Sequence, residues 1–171
     1  MRPILQLALL FITVCCGLSA AEPRLLVSYG ANRKELAAAD LAKLPTVEIE
    51  ALDHGKPYRF RGIAVRDVLT LVEAPTWEKA RRSALTFVVR AKAADGYVVI
   101  FALAEFDAAF REQTILLADM QDGKPIPEAD GPLRFVCPGD KRGARSLRQL
   151  RPRCPLCNSS QFAFNYPKSS F

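Results

Sequence analysis

From position 24 onward the apolar and polar residues fall into short blocks, each a few residues long. Residues 25–29 (LLVSY) read as a first strand, and residues 34–43 (KELAAADLAK), rich in Ala and Leu, predict a short helix that Pro45 stops. Residues 46–51 (TVEIEA) alternate apolar and acidic side chains, the period of a half-buried strand. Residues 53–57 (DHGKP) are a turn, and 58–61 a second short strand. Val65, Val68, Leu69 and Val72 stand at i, i+3, i+4 and i+7, so residues 65–73 form a helix with one apolar face. Residues 85–91 (LTFVVRA) and 97–101 (YVVIF) flank Asp95-Gly96, a hairpin signal. A helical turn at 104–110 is followed by a strand at 115–120, a second hairpin turn at Asp122-Gly123 and an extended connection at 124–127. A last strand at 133–137 ends in Pro138-Gly139. Two short helices beside six or seven strands predict an α+β domain with mixed β-sheets over residues 22–150. Residues 151–171, rich in Pro, Ser and Asn and without periodicity, read as an irregular C-terminal tail.

The first residues have a different character. Arg2 precedes an apolar run over 4–14, broken only by Gln6 and Thr13, and then come the small residues Gly17, Ser19, Ala20 and Ala21. This is the pattern of a signal peptide spanning residues 1–21, cleaved after Ala21. The run is too short to span a bilayer. It predicts a periplasmic or secreted protein with no stable membrane span after cleavage. Cleavage leaves 150 residues and three cysteines, Cys137, Cys154 and Cys157. An odd number allows at most one intramolecular disulfide. Cys154 and Cys157 form one CxxC, which lacks the second pair of a structural zinc site, and Cys137 at the end of an apolar strand reads as a small buried hydrophobe.

Charge sharpens the picture. Lys and Arg number 24 against 18 Asp and Glu, a net charge of +6. Between positions 134 and 153 stand Arg134, Lys141, Arg142, Arg145, Arg148, Arg151 and Arg153, opposed only by Asp140, so this segment carries +6 and the remainder is neutral. Guanidinium groups grip phosphate in a bidentate way, and Gly139 and Gly143 bring backbone N–H groups within reach of an anion. The segment predicts a phosphate or pyrophosphate ligand, with a solvated basic face as the alternative reading. Export argues against nucleic acid. The one histidine, His54, sits in a turn after a strand, where functional side chains often project. The chain carries no nucleophile elbow, P-loop, dinucleotide fingerprint or zinc-protease motif.

Several segments carry a resemblance. Residues 61–69 (RGIAVRDVL), 94–97 (ADGY) with 101–103 (FAL), 116–127 (LLADMQDGKPIP), 131–139 (GPLRFVCPG) and 143–148 (GARSLR) stand in the order of corresponding segments in the sulfite-oxidase-type molybdopterin-binding domain. The resemblance covers about residues 25–150 and implies that fold, with molybdopterin (molybdenum cofactor) as ligand. It implies that Arg145, Ser146 and Arg148 fall on positions contacting the pterin and its phosphate. Lys141 and Arg142 would assist, and His54 would lie in the loop that approaches the metal. A redox partner protein is also implied. The chain departs from the family in three places. Where the family sets a metal-ligating Cys after the strand at 46–50, this chain has Ala51, and no Cys occurs between 17 and 136. Gln149 replaces an aromatic residue, and the tail replaces the next family strand. No metal ligand or catalytic residue is therefore assigned. The first expectation is an exported molybdopterin-binding, oxidoreductase-like protein that lacks the thiolate for sulfite-oxidase-type turnover. The alternative is a cofactor-free binding module that uses its basic segment for another anion or a partner protein.

Overall fold

The computed structural model describes residues 24–29, 31–75, 79, 85–150 and 161–165. The expected signal peptide and the Cys154–Cys157 pair lie outside the described residues. Two five-stranded sheets and two short helices form the described fold, which is α+β. The first sheet contains β1 (Arg24–Tyr29), β2 (Asn32–Ala37), β5 (Val88–Lys92), β6 (Val98–Ala102) and β10 (Gln161–Asn165), in the order β2-β1-β10-β5-β6. It is mixed, since β10 runs parallel to β1 and antiparallel to β5. The second contains β3 (Thr46–Asp53), β4 (Lys56–Ala64), β7 (Leu116–Gln121), β8 (Lys124–Pro125) and β9 (Arg134–Val136), all antiparallel, with β8 and β9 sharing one edge of β7.

Two expectations require correction. Residues 34–43 are not a helix: 32–37 pair with β1 from Tyr29↔Asn32 to Arg24↔Ala37, and only one helical turn, α1 (Ala38–Leu41), follows. Ala favours helix by tenths of a kcal/mol per residue, and pairing along a whole strand outweighs that preference. Residues 161–165, read as part of an irregular tail, form β10, which lies between β1 and β5 and joins the two halves of the first sheet. The segment is five residues long between Pro-, Ser- and Asn-rich stretches, and its place in the sheet is set by partners far away in the chain that no local pattern shows.

The helix α2 (Val65–Thr70) buries Val65, Val68 and Leu69, as its spacing predicts, and Val65 N–H donates to the Ile115 carbonyl at 3.0 Å. The main core lies between the sheets. Val27, Val89 and Phe101 come from the first, and Ile63, Leu117 and Phe135 from the second. Phe101 and Phe135 meet edge to face at 5.9 Å. A smaller cluster of Ala51, Phe60, Leu116, Ala118, Ile126 and Val136 covers the other face of β7, so Leu116, Leu117 and Ala118 are buried in succession. The continuous apolar run at 115–118 reflects a strand buried on both faces. Gly62 sits at a bulge where β4 shifts register against β7, and a Cβ there would meet the Leu117 carbonyl oxygen at 2.1 Å. Only glycine allows that approach.

Beyond β9 the chain doubles back. Phe135 N–H donates to the Leu147 carbonyl (2.7 Å) and Leu150 N–H to that of Leu133 (2.9 Å), which lays residues 147–150 beside β9. Ala94 N–H donates to the Gln149 carbonyl (3.1 Å), tying the same segment to the β5–β6 hairpin. The basic segment thus bridges the two sheets.

Candidate functional site

This bridge forms one wall of a cleft of about 840 Å³, lined by the tips of the β3–β4 and β5–β6 hairpins, the turn at 129–130 and residues 140–144 and 146–149. The volume suits a small-molecule ligand. His54 and Gly55 have φ of +48° and +78°, the two left-handed positions of a tight hairpin turn. Gly55 adopts this at no cost, and histidine is among the residues that tolerate it. The turn delivers His54 to the cleft, where Arg148 Nη2 donates to its Nε2 at 2.6 Å.

Arg148 is shared. Its Nη1 lies 3.2 Å from Asp130 Oδ1 and its Nη2 3.6 Å from Asp53 Oδ1. The same two carboxylates face Arg134, which is 1% exposed. Arg134 Nη1 donates to Asp53 Oδ2 at 3.0 Å, lies 3.5 Å from Asp130 Oδ2, and its guanidinium stands 5.2 Å above the Phe60 ring. Burial alone would raise the Asp53 pKa, but the hydrogen bond and charge of Arg134, with Arg148 and His54, reverse this and hold it below the ordinary carboxylate value. Two arginines and two aspartates are therefore internally neutral.

A second neutral cluster lies beneath the 140–146 loop. Arg145 donates from Nε to Asp140 Oδ2 (2.8 Å), from Nη2 to Asp140 Oδ1 (2.7 Å) and from Nη1 to Glu105 Oε2 (2.6 Å), and its guanidinium stands over the Phe101 ring. Arg111 donates to the Pro138 carbonyl and approaches both carboxylates. Hydrogen bonding from Arg145 lowers the Asp140 pKa against a partial opposing effect of burial, and donating to the Asp140 carboxylate raises that of Arg145.

Five of the six residues singled out from sequence, namely His54, Lys141, Arg142, Ser146 and Arg148, line the cleft. Arg145 does not line it: its guanidinium is turned to Asp140 and Glu105, so it braces the loop. Ser146 Oγ accepts from Cys137 N–H at 3.2 Å. Among the described residues, Lys141 and Arg142 are exposed and carry no ion pair. Within residues 134–150, Arg134 and Arg145 are thus spent internally, and Lys141 and Arg142 with half-exposed Arg148 are the cations presented to an anion. Sequence reasoning missed Asp53, Asp130, Glu105, Leu52 and Tyr97. The i, i+4 spacing of Asp130 and Arg134 was a visible signal, whereas nothing local links Glu105 to Arg145.

The donor set separates two parts of a molybdopterin-type cofactor. An anionic arm fits, since free cations and the hydroxyl of Ser146 meet at one wall. Among the described residues, a thiolate-held metal does not. Ala51 faces the smaller apolar cluster beside Phe60, and Cys137 is buried, with its Sγ donating to the Arg145 carbonyl (3.4 Å). Burial pushes the Cys137 thiol up to about 12, so it stays protonated. Among the described residues no three His, Cys, Asp or Glu side chains converge as metal ligands.

No family model and no curated protein matches the chain. Among solved structures, it is similar to the sulfane dehydrogenase SoxCD from Paracoccus pantotrophus, with a TM-score of 0.55 and 14% identity. The match covers 82% of this chain and 38% of that one, so the chain spans well under half of its neighbour's length. At this identity the likeness concerns the fold. No helix among the described residues is long and apolar enough to cross a membrane.

Proposed function

We propose that this is an exported, oxidoreductase-like protein that binds the phosphate-bearing arm of a molybdopterin-type cofactor in the cleft, without a thiolate-ligated metal. The observation that carries this reading is the convergence of His54, Lys141, Arg142, Ser146 and Arg148 on one cleft from two separate segments. The sequence resemblance to the sulfite-oxidase-type domain and the fold shared with a sulfane dehydrogenase support it. Lys141 and Arg142 supply charge for the anion, the Ser146 hydroxyl supplies a further polar contact, and Arg148 joins by exchanging a carboxylate for a ligand oxygen. A bound molybdopterin cofactor supplies redox chemistry, and because the described residues offer no thiolate for its metal, no turnover step is assigned to them.

Expression of the full chain in a host that makes molybdopterin, with export intact, tests the reading. The purified protein is expected to begin at Glu22 and to release a fluorescent oxidised pterin on denaturation, in near-stoichiometric amount. Protein that carries neither pterin nor molybdenum overturns it. A second reading, a cofactor-free module that keeps the fold and binds another anion or a partner protein, is favoured by Ala51 and by the internal pairing of Arg145. It predicts a melting temperature that is indifferent to cofactor supply, since only a ligand of the folded state shifts that equilibrium.

A further inference from the structure

Both sheets end in open edges, and among the described strands these edges are not alike. β2 presents exposed Arg33, Lys34 and Glu35, β3 presents exposed Glu48 and Glu50, and β8 is two residues long and contains Pro125. Charge, shortness and proline keep an edge from pairing with another chain. β6, at the end of the first sheet, has none of these: it reads Val98-Val99-Ile100-Phe101-Ala102, and Ile100 is 51% exposed. Ala93 N–H donates to the Tyr97 carbonyl (2.9 Å) and Leu103 N–H to that of Phe87 (2.8 Å), which fixes the alternation along the β5–β6 pair. Val99 and Phe101 therefore bond to β5 and bury their side chains, whereas Val98, Ile100 and Ala102 turn their backbone N–H and carbonyl groups to the open edge. The Ala102 N–H is met there by Glu105 Oε1 at 3.0 Å. Among the described residues no hydrogen bond meets the edge-facing groups of Val98 and Ile100.

We infer that β6 is a self-association surface, whose partner is a second copy of this chain added antiparallel across a two-fold axis at Ile100. In that register the Ile100 N–H of each copy donates to the Ile100 carbonyl of the other, and the Val98 N–H to the Ala102 carbonyl, while the Ala102 N–H keeps Glu105. On the outer face Ile100 meets its own counterpart and the larger Val98 stands opposite the smaller Ala102, so the strand complements itself. The same pairing through β3 is disfavoured, because a two-fold axis at Ile49 sets the carboxylates of Glu48 and Glu50 against each other. The cations Arg90 and Lys92 stand one strand in from the β6 edge. Across the axis they are three strand spacings apart, about 14 Å, beyond the screening length of about 8 Å at physiological salt. The contact is isologous and closes on itself, so it makes a dimer and not a filament. Two five-residue strands bury less than a standard interface of about 1,600 Å², which makes the dimer reversible. None of Val98, Ile100 and Ala102 lines the cleft, so this surface is separate from the proposed ligand site.

Sedimentation equilibrium on the full chain as exported, from about 1 μM to about 1 mM, is the test. Wild type is expected to pass from monomer to dimer within that span, with amide exchange of Val98 and Ile100 slowed at the dimeric end. Ile100→Lys and Ile100→Glu each set like charges face to face on the axis and are expected to stay monomeric. At low concentration both should melt within about 2 °C of wild type, because the position is exposed. An equimolar mixture of the two is expected to dimerise, since opposite charges then meet, which a misfolded chain would not do. Glu50→Gln, on the β3 edge, is the control and is expected to dimerise as wild type does. Wild type that stays monomeric at about 1 mM overturns the inference. A dimer that survives Ile100→Lys, one that is lost in Glu50→Gln, a mixture that stays monomeric, or an assembly that grows past two copies overturns it equally.

Discussion

The cluster on the cleft wall and the cluster under the 140–146 loop are built from the same parts, two arginines and two carboxylates each, yet they differ in what they leave available. On the wall, Arg134 is sealed over Phe60 while Arg148, 41% exposed, reaches His54 and the cleft. Under the loop, Arg145 and Arg111 are both turned inward to Glu105 and Asp140. One cluster therefore both supports the fold and exposes a cation, and the other only supports. The lesson is that charge counted along a chain overstates charge available to a ligand, because part-buried carboxylates, two of them from distant segments, neutralise it.

The largest break in this comparison is expected from Arg134→Met. It leaves Asp53 and Asp130 without their shared buried cation and should cost about 3–5 kcal/mol in urea unfolding. Arg145→Met, in the part-buried cluster, should cost less, about 1–3 kcal/mol for its charged hydrogen bonds. Equal losses would show that the clusters do not differ as described.

Acid should expose what the clusters share. Asp53 and Asp140 both have pKa values lowered by folding, so their contribution is present above the unfolded carboxylate value, about 4, and disappears as pH falls through the lower folded values. The melting temperature is expected to be flat with respect to these two groups above about pH 5 and to fall below about pH 4. In Asp53→Asn and Asp140→Asn the starting stability should be lower and this acid slope shallower. An unchanged slope in both variants would remove the two carboxylates from the account.

The smallest effect on stability and the sharpest on binding should come from the two unpaired cations. Lys141→Ala with Arg142→Ala should leave stability within about 0.5 kcal/mol and weaken pyrophosphate binding by about tenfold, with a reduced dependence on salt. A double variant that binds pyrophosphate as well as wild type would transfer the anion site to Arg148.

Much of the local architecture was legible in the chain. The i, i+3, i+4, i+7 spacing at 65–72 specifies the buried face of α2, and Asp-Gly and His-Gly pairs specify the hairpin turns because few residues accept a positive φ. The clustering of Lys141, Arg142 and Arg148 pointed to the wall that they line, and His54 to the turn facing it. Tertiary structure alone decided which cations were free, since Arg145 meets Glu105 across forty residues and Arg134 meets Asp53 across eighty-one. It also decided that an Ala-rich segment pairs as β2 and that residues 161–165 enter the first sheet as β10. The physical reason is the same in each case. Periodicity and turn chemistry act over a few residues and can be read locally, whereas strand pairing and charge neutralisation depend on partners that only the folded chain brings together.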